Sequence, residues 1–86
     1  MARVEIRTQQ EAIDHAKQLT GEYRAALNDL ESRIQAARSL PTVANEIAAD
    51  RAQIRAANLR VAISRTLHMV GGLPLGRDIR KPATGG

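Results

Sequence analysis

The 86-residue chain contains no cysteine, phenylalanine or tryptophan, and Tyr23 is its one aromatic residue. Lack of cysteine removes disulfides, thiolate zinc sites and thiol nucleophiles together. Ligand pockets usually draw part of their lining from aromatic rings. The chain is therefore poorly stocked for a deep enzyme cleft, and neither a cofactor nor a small-molecule substrate is expected. Long apolar runs are missing as well: no stretch of consecutive apolar residues exceeds three, against the roughly 20 that a membrane-spanning helix requires. Membrane insertion is not expected. The opening residues Met1–Arg7 hold none of the apolar core of about 7–15 residues that marks a secretory signal. The expected location is the cytoplasm, or an assembly formed there such as a virion.

What is present is a helix-forming stock of Ala, Leu, Ile and Val, with apolar residues at 43% and charged residues at 26%. That balance supports a folded soluble domain, and the length allows one small one. Charge is unevenly spread. Residues 1–50 carry six basic and eight acidic side chains, net −2, whereas residues 51–86 carry seven basic side chains against Asp78 alone, net +6. A chain polarised in this way can pair with copies of itself or present its basic half to an acidic surface.

Three segments follow the N-terminal arm of residues 1–7. Helical periodicity runs over about 8–39 and again over about 42–70, and a basic Gly/Pro-rich tail occupies 71–86. Thr8-Gln9-Gln10-Glu11 fits a capping box at the start of the first helix. From there Ile13, Thr20, Leu27 and Ile34 recur every seven residues, with Ala16, Tyr23, Leu30 and Ala37 three residues after each, the spacing of a coiled-coil seam. Ala12, Leu19 and Ala26 widen that seam on one flank. Glu11, Asp14, Gln18, Glu22 and Asp29 read as the solvated side. Pro41 cannot continue the first helix, and Ser39 or Thr42 is placed to cap the second. So short a connection makes the two helices antiparallel neighbours. Gly71-Gly72 is expected to end the second helix in a left-handed cap ahead of Pro74.

The expected fold is therefore all-α: an antiparallel, coiled-coil-like two-helix hairpin with a flexible tail. Its second helix has apolar residues on two sides. Val43, Ile47, Ile54 and Val61 form one stripe, interrupted by Asp50. Ala48, Ala52, Leu59, Ile63 and Val70 form another, about 140–200° away at 100° per residue. One neighbouring helix can cover only one of them. The expected intra-hairpin seam joins Ile13, Tyr23, Leu27, Leu30 and Ile34 to Val43, Ile47, Ile54 and Val61. Leu59, Ile63 and Val70, with Leu73 and Leu75 of the tail, are then left for a partner.

Catalytic constellations are thin. His15 and His68 lie on different helices, and neither helix offers the His-x₃-His or Glu-x-x-His spacing of a metal site. Gly71-Gly72 follows a helix and does not open one, so it is no phosphate loop. Arg51, Arg55 and Arg65 share one sector of the second helix, and Arg77, Arg80 and Lys81 extend the positive charge into the tail. Such a set can neutralise phosphates, although aromatic stacking platforms and a helix-turn-helix are both missing.

Tyr23-Arg24-Ala25, Leu27, Asp29, Arg38-Ser39-Leu40 and Gly71-Gly72 are similar to the last periplasmic helical region of outer-membrane efflux channels of the TolC type. That resemblance implies a fragment of a trimeric helical barrel. The chain departs from it in the Pro41 break and in lacking a membrane strand.

The residues themselves lead to a non-catalytic structural or assembly subunit, acting through helix–helix self-association or through incorporation into a larger complex such as a virion or secretion apparatus. The alternative is a nucleic-acid-associated protein that binds phosphates through Arg51, Arg55, Arg65, Arg77, Arg80 and Lys81.

Overall fold

A computed structural model describes residues 5–74. It contains two α-helices, α1 (Gln9–Ser39) and α2 (Val43–Val70), folded back on each other as an antiparallel hairpin. At about 1.5 Å per residue, helices of 31 and 28 residues are roughly 46 and 42 Å long.

Local chemistry accounts for each helix end. The hydroxyl of Thr8 accepts from the Glu11 amide at 3.2 Å, and the Glu11 carboxylate accepts from the amides of Thr8 at 3.2 Å and Arg7 at 2.8 Å. This closes the expected capping box. At the turn, Leu40 leaves the helix with φ −139°, in the extended region to which the following Pro41 confines it. Thr42 caps α2, its hydroxyl accepting from the Asn45 amide at 3.1 Å. Asn45 in turn donates through Nδ2 to the Leu40 carbonyl at 2.8 Å, tying the start of α2 to the end of α1. At the open end, the Gln9 amide donates to the Pro74 carbonyl at 2.6 Å, and Gln9 Nε2 donates to the Leu73 carbonyl at 2.9 Å. Thus the segment after α2 satisfies a free amide of the first turn of α1.

The expected left-handed glycine cap is not formed. Gly71 keeps right-handed helical geometry (φ −64°, ψ −23°), and α2 closes through the Gly72 amide to Met69 and the Leu73 amide to Val70. The reason is the onward path: the chain tightens by i to i+3 bonds and carries Leu73 and Pro74 back to Gln9.

The seam is built mainly from small residues. Ala12, Ala16, Leu19 and Ala26 of α1 and Ala52, Ala56 and Thr66 of α2 are buried, and among the described residues no large side chain is fully enclosed. Tyr23, Leu30, Leu59, Ile63 and Val70 are half-buried along the same faces. The register fixed at the two ends sets Leu19 level with Ile63, Tyr23 with Leu59 and Ala26 with Ala56. Thr66 satisfies its hydroxyl within the helix, donating to the Ala62 carbonyl at 2.8 Å.

This corrects the expected seam. Ile13, Tyr23 and Leu30 are half-buried, but Leu27, Ile34, Val43, Ile47, Ile54 and Val61 are exposed. Leu59, Ile63, Val70 and Leu73, expected to face a partner, are instead half-buried in the hairpin's own structure. Two physical causes combine. A seam through Val43, Ile47, Ile54 and Val61 would enclose Asp50, and a buried carboxylate without a partner is costly. The face holding Ala52, Ala56, Leu59, Ile63, Thr66 and Val70 contains no charge, and its alanines let the two backbones approach closely.

Candidate docking surface

With the seam placed, the apolar surplus of α2 lies on its outer side. Measured from Ala52 at 100° per residue, Ala56, Leu59, Ile63 and Thr66 cluster within about 40° of the seam direction, and Val43, Ile47, Ile54 and Val61 lie about 180–220° from it. These four are 73, 45, 59 and 46% exposed. They belong to a longer series, Val43, Ile47, Asp50, Ile54, Ala57, Val61, Ser64 and His68, whose steps alternate between four and three residues. That is the spacing of a coiled-coil seam, here on the face turned away from α1. Leu27 and Ile34 add a smaller exposed pair on α1, at the edge of the inner seam.

Arginines border the outer stripe. Arg51 and Arg65 lie beside it on one edge, Arg55 lies farther round toward α1, and Arg60 takes the opposite edge. All four are exposed. Among the described residues the ion pairs are Arg7 with Glu5 and Arg33 with Asp29, so none of these four has a carboxylate within ion-pair distance. Two shallow grooves show why. Glu22 shares one with Arg51, Ile54, Arg55 and Asn58, yet stays out of ion-pair reach of both arginines. Asp29 shares the other with Arg33, Arg51 and Arg55 and is held by Arg33 of its own helix, Nε to Oδ1 3.3 Å. Arg51, Arg55 and Arg65 therefore share one side of α2, as their spacing leads one to expect, whereas Leu75, Arg77, Arg80 and Lys81 lie outside the described residues.

The histidines do not come together as a ligand set, and among the described residues no group of three His, Asp or Glu side chains is placed to hold a metal ion. His68 closes the outer series. Its Nδ1 lies 3.0 Å from the Ser64 carbonyl, which can only accept, so Nδ1 carries the proton and Nε2 is left without this contact. His15 is half-buried on α1. Among the described residues no helix is long and apolar enough to cross a membrane.

Sequence reasoning placed Ala12, Ala16, Leu19 and Ala26 in or beside the α1 seam, but on α2 it assigned Ala52 to the stripe left out of the seam and did not single out Ala56 or Thr66. The usable signal was charge: of the two series on α2, one includes Asp50 and His68 and the other has no ionisable residue. No protein-family model, curated protein or solved structure matches this chain.

Proposed function

We propose that the chain is a non-catalytic assembly subunit, a rigid helical hairpin whose outer α2 face is completed by another helix on incorporation into a larger complex of the kind exemplified by a virion or a secretion apparatus. The observation that carries this reading is the exposed stripe of Val43, Ile47, Ile54 and Val61, opposite a seam that is already occupied. Fully burying a Val or Ile side chain is worth about 1.5–3 kcal/mol, so four that are about half exposed leave on the order of 3–6 kcal/mol of hydrophobic free energy unused. Coiled-coil spacing turns that surplus into a shape another helix can fill. Small two-helix chains also have little core, and association is a common way to supplement it.

The alternative, phosphate binding through Arg51, Arg55, Arg65, Arg77, Arg80 and Lys81, draws on the exposed Arg51, Arg55 and Arg65, which have no carboxylate partner among the described residues. It leaves the apolar stripe unused, which is why it stands second.

Sedimentation of the chain alone and with candidate helical partners tests the reading. Replacing Ile54 and Val61 together by Ser should abolish any association while far-UV circular dichroism keeps the helical signal. Association that persists unchanged in that variant would remove the outer α2 face from the interface.

A further inference from the structure

The charge around the outer stripe identifies the kind of helix that fits it. Building on the docking role proposed above, we infer that the occupant is a helix of a different chain whose apolar heptad seam is flanked by carboxylates. Four observations converge on this.

First, the four-three spacing from Val43 to His68 is a coiled-coil period, and it runs almost the whole length of α2. It asks for a helix lying along α2. A lipid surface would favour a broader apolar sector and larger anchors, whereas the aliphatic side chains here make a narrow ridge of Val, Ala and Ile.

Second, the charged positions bordering that ridge are Arg51 and Arg65 on one edge and, on the other, Arg60 with Glu46 in the first turn of α2, so arginine outnumbers carboxylate three to one. Bordering positions are where coiled coils place the charges that select a partner. All three arginines are exposed and have no carboxylate partner among the described residues. Carboxylates at the facing positions of an incoming helix would complete three charge pairs without displacing any present in the hairpin.

Third, a second copy of this chain fits poorly. Pairing two α2 helices in parallel sets Asp50 against Asp50. Pairing them antiparallel with Asp50 opposite His68 brings Arg51 level with Arg65 of the other copy, and Arg60 level with its own equivalent. The outward side of α1 carries Asp14 together with Lys17 and Arg24, and Gly21, Asn28 and Gln35 occupy the positions where knobs would be needed; all six are exposed. The outward face of α1 in a second copy thus offers neither apolar packing nor a net negative charge, and its α2, in these two pairings, offers apolar packing with like charges opposed.

Fourth, Asp50 sits inside the ridge. A single polar residue in such a seam costs stability and fixes register, so the occupant needs a hydrogen-bond donor at the facing position.

The experiment uses the full chain and two synthetic helical peptides, each of the same 28-residue length as α2. Both carry an Ile/Leu heptad seam with one Asn, flanked by Glu in one peptide and by Lys in the other, so that neither pairs readily with itself. In fluorescence anisotropy the Glu peptide should bind about tenfold or more tightly than the Lys peptide, a preference that shrinks as salt is raised. Converting Arg51, Arg60 and Arg65 together to Glu should reverse the preference. Equal affinities, or a preference for the Lys peptide, would overturn the inference while leaving α2 docking intact. So would concentration-dependent self-association that Ile54→Asp abolishes, because a second copy would then be the occupant. Tight binding to phosphatidylserine vesicles or duplex DNA with no binding of either peptide overturns it in favour of an anionic surface. Peptide binding that survives Ile54→Asp and Val61→Asp with full helicity would instead defeat the docking surface itself.

Discussion

Gly21 lies in the middle of a 31-residue helix, where glycine costs about 1 kcal/mol relative to alanine. A glycine so placed can mark a close approach of two backbones. Here it does not: a Cβ at Gly21 would meet no atom of the described residues within 4 Å, and the residue is exposed on the side of α1 away from the seam. Gly21→Ala should therefore stabilise the hairpin by about 1 kcal/mol. The readout is a higher urea midpoint at unchanged slope. A loss of stability would mean that this position contacts something outside the hairpin as described. The seam alanines behave oppositely. Ala26 and Ala56 are 4 and 5% exposed, and a Leu at either position would force the helices apart, at a cost of about 1–3 kcal/mol for overpacking.

Both sides of α2 are apolar, so the composition of the element does not say which side is inner. Position does. Leu59 and Ile63 are half-buried against α1, whereas Ile54 and Val61 face outward at 59 and 46% exposure. Paired substitutions separate the two. Leu59→Ser with Ile63→Ser should destabilise the hairpin by several kcal/mol, following the roughly 2–5 kcal/mol of a single large-to-small core change with some discount for half-burial. Melting below room temperature is the expected outcome for so thin a core. Ile54→Ser with Val61→Ser should move stability by no more than about 0.5 kcal/mol per site in dilute solution, where no partner is bound. Thermal melts by circular dichroism decide between them, and equal effects would contradict the placement of the seam. Much of this architecture was legible in the amino-acid sequence. The Thr8–Glu11 box, the Pro41 break and two long periodic segments specify two helices and a tight turn, because each is a local rule satisfied within a few residues. The choice of faces was not legible by side-chain size, since it depends on a comparison between elements. Close packing through Ala12, Ala16, Ala26, Ala52 and Ala56 is worth more to the pair than the larger area of Val43, Ile47, Ile54 and Val61 once Asp50 must be kept in water. The arginine sector was readable from spacing alone. What could not be read was whether Glu22 and Asp29 would neutralise it, because that turns on distances across the hairpin.

The hairpin as a whole is a single layer of side chains between two long rods, and its ends bear more on its integrity than they would in a globular domain. At the turn, Pro41, Thr42 and Asn45 hold the connection through short-range bonds. At the open end there is no covalent link, and closure rests on Val70 and Leu73 packing and on the two bonds from Gln9 to the carbonyls of Leu73 and Pro74. Fraying should therefore begin at this end, where the first turn of α1 needs acceptors that its own helix cannot supply. Ending the chain at Gly72 removes both carbonyls together with the half-buried Leu73. The expected loss is about 1–3 kcal/mol, from two hydrogen bonds of about 1 kcal/mol net each and partial burial of one leucine. Its distribution is more diagnostic than its size. Amide hydrogen exchange should accelerate first at Gln9 through Ala12 and in the last turn of α2, while amides around Ala26 and Ala56 change only by the global loss. Uniform acceleration along both helices would instead show that the hairpin opens as one cooperative unit, with the Gln9–Pro74 closure contributing no more locally than any other contact.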